Sequence, residues 1–184
     1  VHLESNRLPE ARRNLEQALH FNAKSPQVWN NLGGVAIAEG RNDEALRCFE
    51  KMLDLAPNSI YGLTNAAMAL ARLDRKAEAE KLYRRALGID PKDSETADRL
   101  GLLLGQQGRL GEAIDLFKQA LEGDPRNGSA INNLSVAYIQ LGKTNDAVAA
   151  LQYGIGVAPD YDILYLNLAR LYAGTGNRDR AKQV

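Results

Sequence analysis

The chain has 184 residues, its 23 Lys and Arg balance 23 Asp and Glu, and 45% of it is hydrophobic against 25% charged. These proportions exclude the low-hydrophobicity, high-charge profile of disorder, zero net charge argues against a basic nucleic-acid surface, and no apolar run nears the ~18 residues of a membrane span. One cysteine, Cys48, forms no internal disulfide, and two histidines, His2 and His20, leave little for metal or acid–base chemistry, so we expect no metal, no cofactor and no enzyme activity.

A 34-residue period orders the predicted elements. Alanine recurs at Ala11, Ala45, Ala79, Ala113, Ala147 and Ala181, and proline at Pro57, Pro91, Pro125 and Pro159. Gly40, Asp74, Gly108, Gly142 and Gly176 share the period as turn residues. Glycine accepts the left-handed conformation that ends a helix, and Asp tolerates it better than most residues.

In chain order, residues 1–25 read as the second half of an earlier unit, with Ala11, Leu15 and Ala18. Residues 26–39 carry Val28, Trp29, Leu32, Val35 and Ala36 at helical spacing, and Gly40 stops them. Residues 43–55 carry Ala45, Leu46, Phe49, Met52 and Leu53, and Pro57 closes the unit. The same pattern repeats over 60–93, 94–127 and 128–161, and residues 162–184 begin another unit and run out. Ser25, Ser59, Asp93 and Asn127 precede successive units and are good N-cap types. Pro26 falls at a first helical position, where its missing N–H costs nothing. The fifth unit has Tyr161 at the cap position, which leaves Asp160 or Asp162 to serve.

A 34-residue helix–turn–helix unit with these residues resembles the tetratricopeptide repeat family. The first unit shows Trp29, Leu32, Gly33, Ala36, Ala45, Phe49 and Pro57. The third shows Leu100, Gly101, Leu104, Ala113, Phe117, Ala120 and Pro125. The resemblance implies an all-α fold, a right-handed α-solenoid forming one domain over residues 1–184. The small residues Gly33, Ala67, Gly101, Ser135 and Ala169 allow close helix pairing. Trp29, Phe49, Tyr83, Phe117 and Tyr138 are expected to fill the space between successive units.

In this family the first helix of each unit lines a concave groove. The sixth position of the units is Asn31, Asn65, Arg99, Asn133 and Asn167, an asparagine ladder with one arginine. An Asn amide offers both donor and acceptor, as a neighbouring strand does. Packed helices sit ~8–10 Å apart and an extended chain advances ~3.3–3.6 Å per residue, so one rung serves about three peptide residues. The ladder is similar to that in the tetratricopeptide region of O-GlcNAc transferase, which holds extended polypeptide. Arg99 either reads an acidic ligand side chain or pairs with Glu95 one turn back. Tyr61, Met68, Leu102 and Val136 add apolar contacts, with Arg72, Gln106, Gln140 and Arg170 further along. The two-carboxylate clamp of heat-shock co-chaperones does not fit, because Asn30, Gly34 and Glu95 stand where its Lys and Asn residues belong.

The expected function is therefore a protein-interaction module that takes a peptide segment of a partner in its groove. Two alternatives are a scaffold that self-associates through unfinished end helices, and the substrate-recruiting arm of a larger enzyme. The start at Val1 and the end at Val184 read as cuts in a longer protein. Low cysteine use favours the cytoplasm and leaves a bacterial periplasm open.

Overall fold

The computed structural model describes residues 7–181. Val1–Asn6, with His2, and the tail from Lys182 to Val184 lie outside the described residues. Among the described residues there is no strand. The helices are α1 (Arg7–Phe21), α2 (Pro26–Ala38), α3 (Asn42–Leu55), α4 (Ile60–Arg72), α5 (Lys76–Ile89), α6 (Ser94–Gln106), α7 (Leu110–Gly123), α8 (Gly128–Gln140), α9 (Thr144–Val157), α10 (Ile163–Gly174) and α11 (Arg178–Ala181). The chain divides into two compact units, Val1–Asp90 and Pro91–Val184. The first holds α1–α5 and the second α6–α11. Within each, a first-type helix pairs with the second-type helix that follows it.

The first-type helices begin as their sequence predicts. Ser25, Ser59, Asp93 and Asn127 each accept a hydrogen bond from the backbone N–H three residues on, at Val28, Gly62, Thr96 and Ala130. Each such cap is worth about 1 kcal/mol. The fifth start differs. Asp162 occupies the cap position in a helical conformation and makes no side-chain cap bond. The Tyr161 ring instead lies over Gly128, where an added Cβ would sit 2.5 Å from Cγ of the ring.

The second-type helices start by another device that also repeats. Their cap residues are Arg41, Arg75, Arg109 and Lys143, and none caps through its side chain. The three arginines instead pair with an acid three residues on. Arg41 reaches Glu44 at 3.4 Å, Arg75 reaches Glu78 at 2.7 Å and Arg109 reaches Glu112 at 2.7 Å. The acids sit in the first turn, where the helix dipole favours negative charge. The Arg75 hydrogen bond holds the Glu78 carboxyl below the usual carboxylate range. Each helix pair turns on a left-handed residue: Gly40, Asp74, Gly108, Gly142 and Gly176 have φ of 76°, 59°, 78°, 70° and 80°.

Small residues on the first-type helices meet aromatic rings of the second type within the same repeat. A Cβ on Gly33 would lie 2.4 Å from the Phe49 ring, and one on Gly101 would lie 2.6 Å from the Phe117 ring. Phe49, Tyr83 and Phe117 are buried, whereas Trp29 and Tyr138 are only half-buried. Phe49 and Phe117 thus pack on the glycine of their own repeat, rather than only between repeats as expected. In the second unit, Ile131, Leu151, Leu164, Leu168 and Tyr172 form a buried cluster that joins α8, α9 and α10.

The closing prolines are tied by a third periodic contact. Arg85 donates to the Pro57 carbonyl at 2.7 Å, Gln119 to Pro91 at 2.7 Å and Tyr153 to Pro125 at 3.4 Å. One donor position, 34 residues apart each time, satisfies a carbonyl at the end of the preceding turn.

Candidate functional site

The site predicted from sequence lies on the first-type helices, and each unit carries its own part. In the first unit, α2 and α4 present Asn31, Tyr61, Asn65 and Met68. Asn31 is exposed, and Asn65 and Met68 are half-buried. These three line one open cleft of about 650 Å³, together with Asn14, Asn30, Leu8, Leu15, Val35 and Ile37. Tyr61 is 72% exposed on the first turn of α4 and is not part of this lining.

In the second unit, Leu102, Asn133 and Val136 line a cleft of about 120 Å³ between α6 and α8, with Gln106 and Gln140 beside them. Leu102 and Val136 are 44% and 38% exposed, so apolar surface faces water there. Arg99 donates through two nitrogens to Oε1 of Glu95, at 2.9 and 2.7 Å. The pair with Glu95 one turn back is thus present. Arg170 is exposed on α10, outside that cleft.

The ladder asparagines do more than face solvent. The Nδ2 of Asn65 donates to Asn30 Oδ1 at 2.8 Å, that of Asn133 to Asp98 Oδ1 at 2.8 Å, and that of Asn167 to Asn132 Oδ1 at 2.6 Å. Each bond spans 35 residues and joins one first-type helix to the preceding one. One N–H of each amide is thereby committed to the fold. The Nδ2 of Asn133 also reaches Ser129 Oγ at 3.5 Å, so what each amide has in common as remaining capacity is its Oδ1.

Asp98 is the residue that sequence reasoning missed. It is 8% exposed, and its two oxygens accept from Asn133 Nδ2 and, at 2.7 Å, from Ser129 Oγ. A buried carboxylate needs such donors to offset lost hydration. The signal was available: Asn30, Thr64, Asp98 and Asn132 form a polar row immediately before the ladder positions.

Cys48 is buried, and burial pushes its thiol pKa up, which suits packing and not nucleophilic attack. No helix among the described residues is long and apolar enough to cross a membrane.

Tetratricopeptide repeat models match residues 25–92, 105–154 and 164–184. The chain belongs to the tetratricopeptide repeat family. Tetratricopeptide repeats are protein-interaction scaffolds, and the all-α repeat fold described above is that of the family. No curated protein matches the chain in sequence. Among solved structures, the thermophilic tetratricopeptide protein TTC0263 of Thermus thermophilus is 20% identical with a TM-score of 0.77, over 93% of each chain. A tetratricopeptide repeat protein from Parabacteroides merdae is 24% identical with a TM-score of 0.76, over 98% of this chain and 72% of its own. YrrB, described as a tetratricopeptide protein with an unusual peptide-binding site, is 24% identical with a TM-score of 0.65, over 88% of this chain and 83% of its own. At these identities the likeness is one of fold.

Proposed function

We propose that the face formed by the first-type helices in each unit binds a peptide segment of a partner protein and performs no chemistry. The observation that carries this reading is one of register. Met68, Leu102 and Val136 are 34 residues apart, each stands three residues after a ladder position, and each borders an open cleft beside a ladder asparagine. An apolar side chain next to a half-committed amide is a two-part site. The apolar group receives a ligand side chain, while the amide Oδ1 accepts from a ligand backbone N–H. Asn31, Tyr61, Asn65 and Met68 serve in the first unit. Arg99, Leu102, Asn133, Val136, Asn167 and Arg170 serve in the second, and there the paired Arg99 and Glu95 bring a neutral, polar margin.

The bond from each amide to the preceding helix has a consequence for recognition. It fixes the direction of Oδ1 before the ligand arrives, so less side-chain freedom is lost on binding. YrrB, whose own description names a peptide-binding site, is a precedent for this use of the fold.

Peptide display tests the reading. Selection of random peptides on the wild-type chain should enrich sequences that bind one to one. Leu102→Arg combined with Val136→Arg should remove that binding, and Lys118→Glu on the exposed face of α7 should leave it intact. Enriched peptides that bind all three proteins equally would overturn it.

A further inference from the structure

Four first-type helices start behind a capping side chain, and the residue after the cap differs among them. It is Pro26 after Ser25, Ile60 after Ser59 and Ser94 after Asp93, but Gly128 after Asn127. Packing accounts for the glycine. The Tyr161 ring fills the space that a Cβ at position 128 would need, with Cγ of the ring 2.5 Å away. Capping asks for a short polar side chain at 127, and the ring asks for glycine at 128. Together they place an Asn-Gly pair at the start of α8, the only such pair in the sequence. A glycine nitrogen has no Cβ beside it, so it reaches the side-chain carbonyl carbon of the preceding Asn more freely than the nitrogen of any other residue.

We propose that Asn127–Gly128 is a self-modification site, at which Asn127 exchanges its amide for a carboxylate whenever the first turn of α8 opens. The Gly128 nitrogen attacks Cγ of Asn127. The new Gly128 N–Cγ bond closes a cyclic imide, the Cγ–Nδ2 bond breaks, and the Gly128 proton leaves with the amide nitrogen as ammonia. Water then opens the imide and returns a proton to the Gly128 nitrogen. Cleavage of the Gly128 N–Cγ bond leaves aspartate in an unaltered main chain. Cleavage between the Gly128 nitrogen and the main-chain carbonyl carbon of Asn127 leaves isoaspartate, with the main chain routed through Cγ. The net reaction consumes one water and releases one ammonia.

The fold restrains this reaction through contacts on both residues. Asn127 Oδ1 accepts from the Ala130 N–H at 3.0 Å, its Nδ2 donates to Ser94 Oγ at 2.9 Å, and its ψ is 91°. Ring closure turns the carboxamide off both partners and takes ψ away from that value. Gly128 itself is buried beneath Tyr161. The two products then differ in consequence. Aspartate keeps the cap, as Asp93 shows one period earlier by accepting from the Thr96 N–H at 3.0 Å. Its charge suits a helix N-terminus, and the Ser94 hydroxyl can turn to donate to it. Isoaspartate adds a methylene to the main chain at the cap and undoes it. The loss reaches the first turn of α8, where Ser129 Oγ donates to the buried Asp98 at 2.7 Å.

The test incubates the chain in heavy-oxygen water, folded in mildly alkaline buffer or unfolded in urea, and maps the products by mass spectrometry. In urea Asn127 should convert before any other asparagine, with heavy oxygen in both products. Gly128→Ala, compared in urea where the Tyr161 ring exerts no constraint, should slow the conversion several-fold. The folded chain should react at least about tenfold more slowly than the unfolded one, because only the opened fraction reacts. Ser94→Ala and Tyr161→Ala each remove one restraint. Each should raise the folded rate several-fold and leave the rate in urea unchanged, with circular dichroism confirming that the variant is folded. Asn127→Asp should keep or raise the wild-type urea midpoint, and the purified isoaspartyl chain should lower it. Another asparagine leading in urea, equal rates in the folded and unfolded chain, or a folded rate indifferent to both Ser94→Ala and Tyr161→Ala would overturn the proposal. So would an isoaspartyl chain as stable as the wild type.

Discussion

Asn133 donates its Nδ2 to Oδ1 of Asp98 at 2.8 Å, so a ladder amide on α8 is the hydrogen-bond partner of a buried carboxylate on α6. The bond gives Asn133 a structural duty beside any role in binding. Removing the amide leaves Oδ1 of Asp98 without this donor, and Ser129 Oγ reaches only the other oxygen. Asn133→Ala should therefore destabilise the second unit by about 1–3 kcal/mol. In the Asp98→Ala background the same change should cost clearly less, because the group left unpaired is gone. Urea unfolding of the four proteins of this cycle gives the coupling. A coupling near zero would mean that the bond does not form in solution.

Close approach of α6 and α7 makes a second prediction. A methyl on Gly101 would stand 2.6 Å from Cε1 of Phe117, a ring that is 2% exposed and has little room to move. Overpacking of this kind costs about 1–3 kcal/mol. The better helix propensity of Ala returns about 1 kcal/mol. Gly101→Ala should thus lose up to about 2 kcal/mol net in chemical denaturation. Leu151 stands at the matching position beside Ser135 one repeat later, so a smaller partner tolerates the larger neighbour. In a Phe117→Leu background Gly101→Ala should be neutral or stabilising, and a repeated loss of the same size would refute the packing argument.

The parts of the structure that were readable beforehand share one property: the same residue type serves the same purpose in each repeat. The caps Ser25, Ser59, Asp93 and Asn127 and the left-handed turn residues are of this kind, and they set the helix boundaries. The site was half readable for the same reason. Asn65 and Asn133 stand out as a row, but their acceptors vary between Asn30 and Asp98 and sit 35 residues back on another helix. The proline-carbonyl contact was hidden in the same way, because Arg85, Gln119 and Tyr153 share a geometry and no side-chain chemistry. At the fifth repeat the cap rule failed where Tyr161 gave up polarity for packing over Gly128.

Asp74 is the odd member of the turn row. It holds φ of 59° where the other four repeats place glycine. A side chain in the left-handed region costs roughly 1 kcal/mol, somewhat less for Asp. The Asp74 carboxylate contacts Lys76 at 3.0 Å, but its side chain is 85% exposed, and such a pair contributes little. Relief of backbone strain should win over loss of the ion pair. Asp74→Gly should raise the stability of the first unit by about 0.5 kcal/mol, read as a higher urea midpoint. A lower midpoint would show that the ion pair, and not the turn, decides the matter.

A charge network at the start of the first unit predicts acid sensitivity. Arg12 on α1 donates to Glu39 at the end of α2 and to Glu44 on α3, and Arg41 lies 3.5 Å from Glu39 and 3.4 Å from Glu44. The Arg12 and Glu39 side chains are 14% and 15% exposed, so they are less screened by solvent than a surface pair. The hydrogen bond from Arg12 holds the Glu44 carboxyl below its ordinary value of 4.5, against the opposing effect of partial burial. A carboxyl depressed in the folded state binds its proton first in the unfolded state. Its stabilisation is therefore complete above about pH 4.5 and is lost as pH falls through the lower, folded value. Arg12→Met removes the cation and keeps most of the packing volume. It should cost about 1–3 kcal/mol at pH 7, where both carboxylates are left without their main partner. The gap between wild type and variant should shrink steadily below pH 4.5, as the unfolded state of the wild type takes up the proton first. Trp29 on α2 is the only tryptophan of the chain, so its fluorescence during urea unfolding reports on this unit. A gap that stays constant from pH 7 to pH 3 would mean that Arg12 stabilises α1 through its aliphatic stem and not through Glu44.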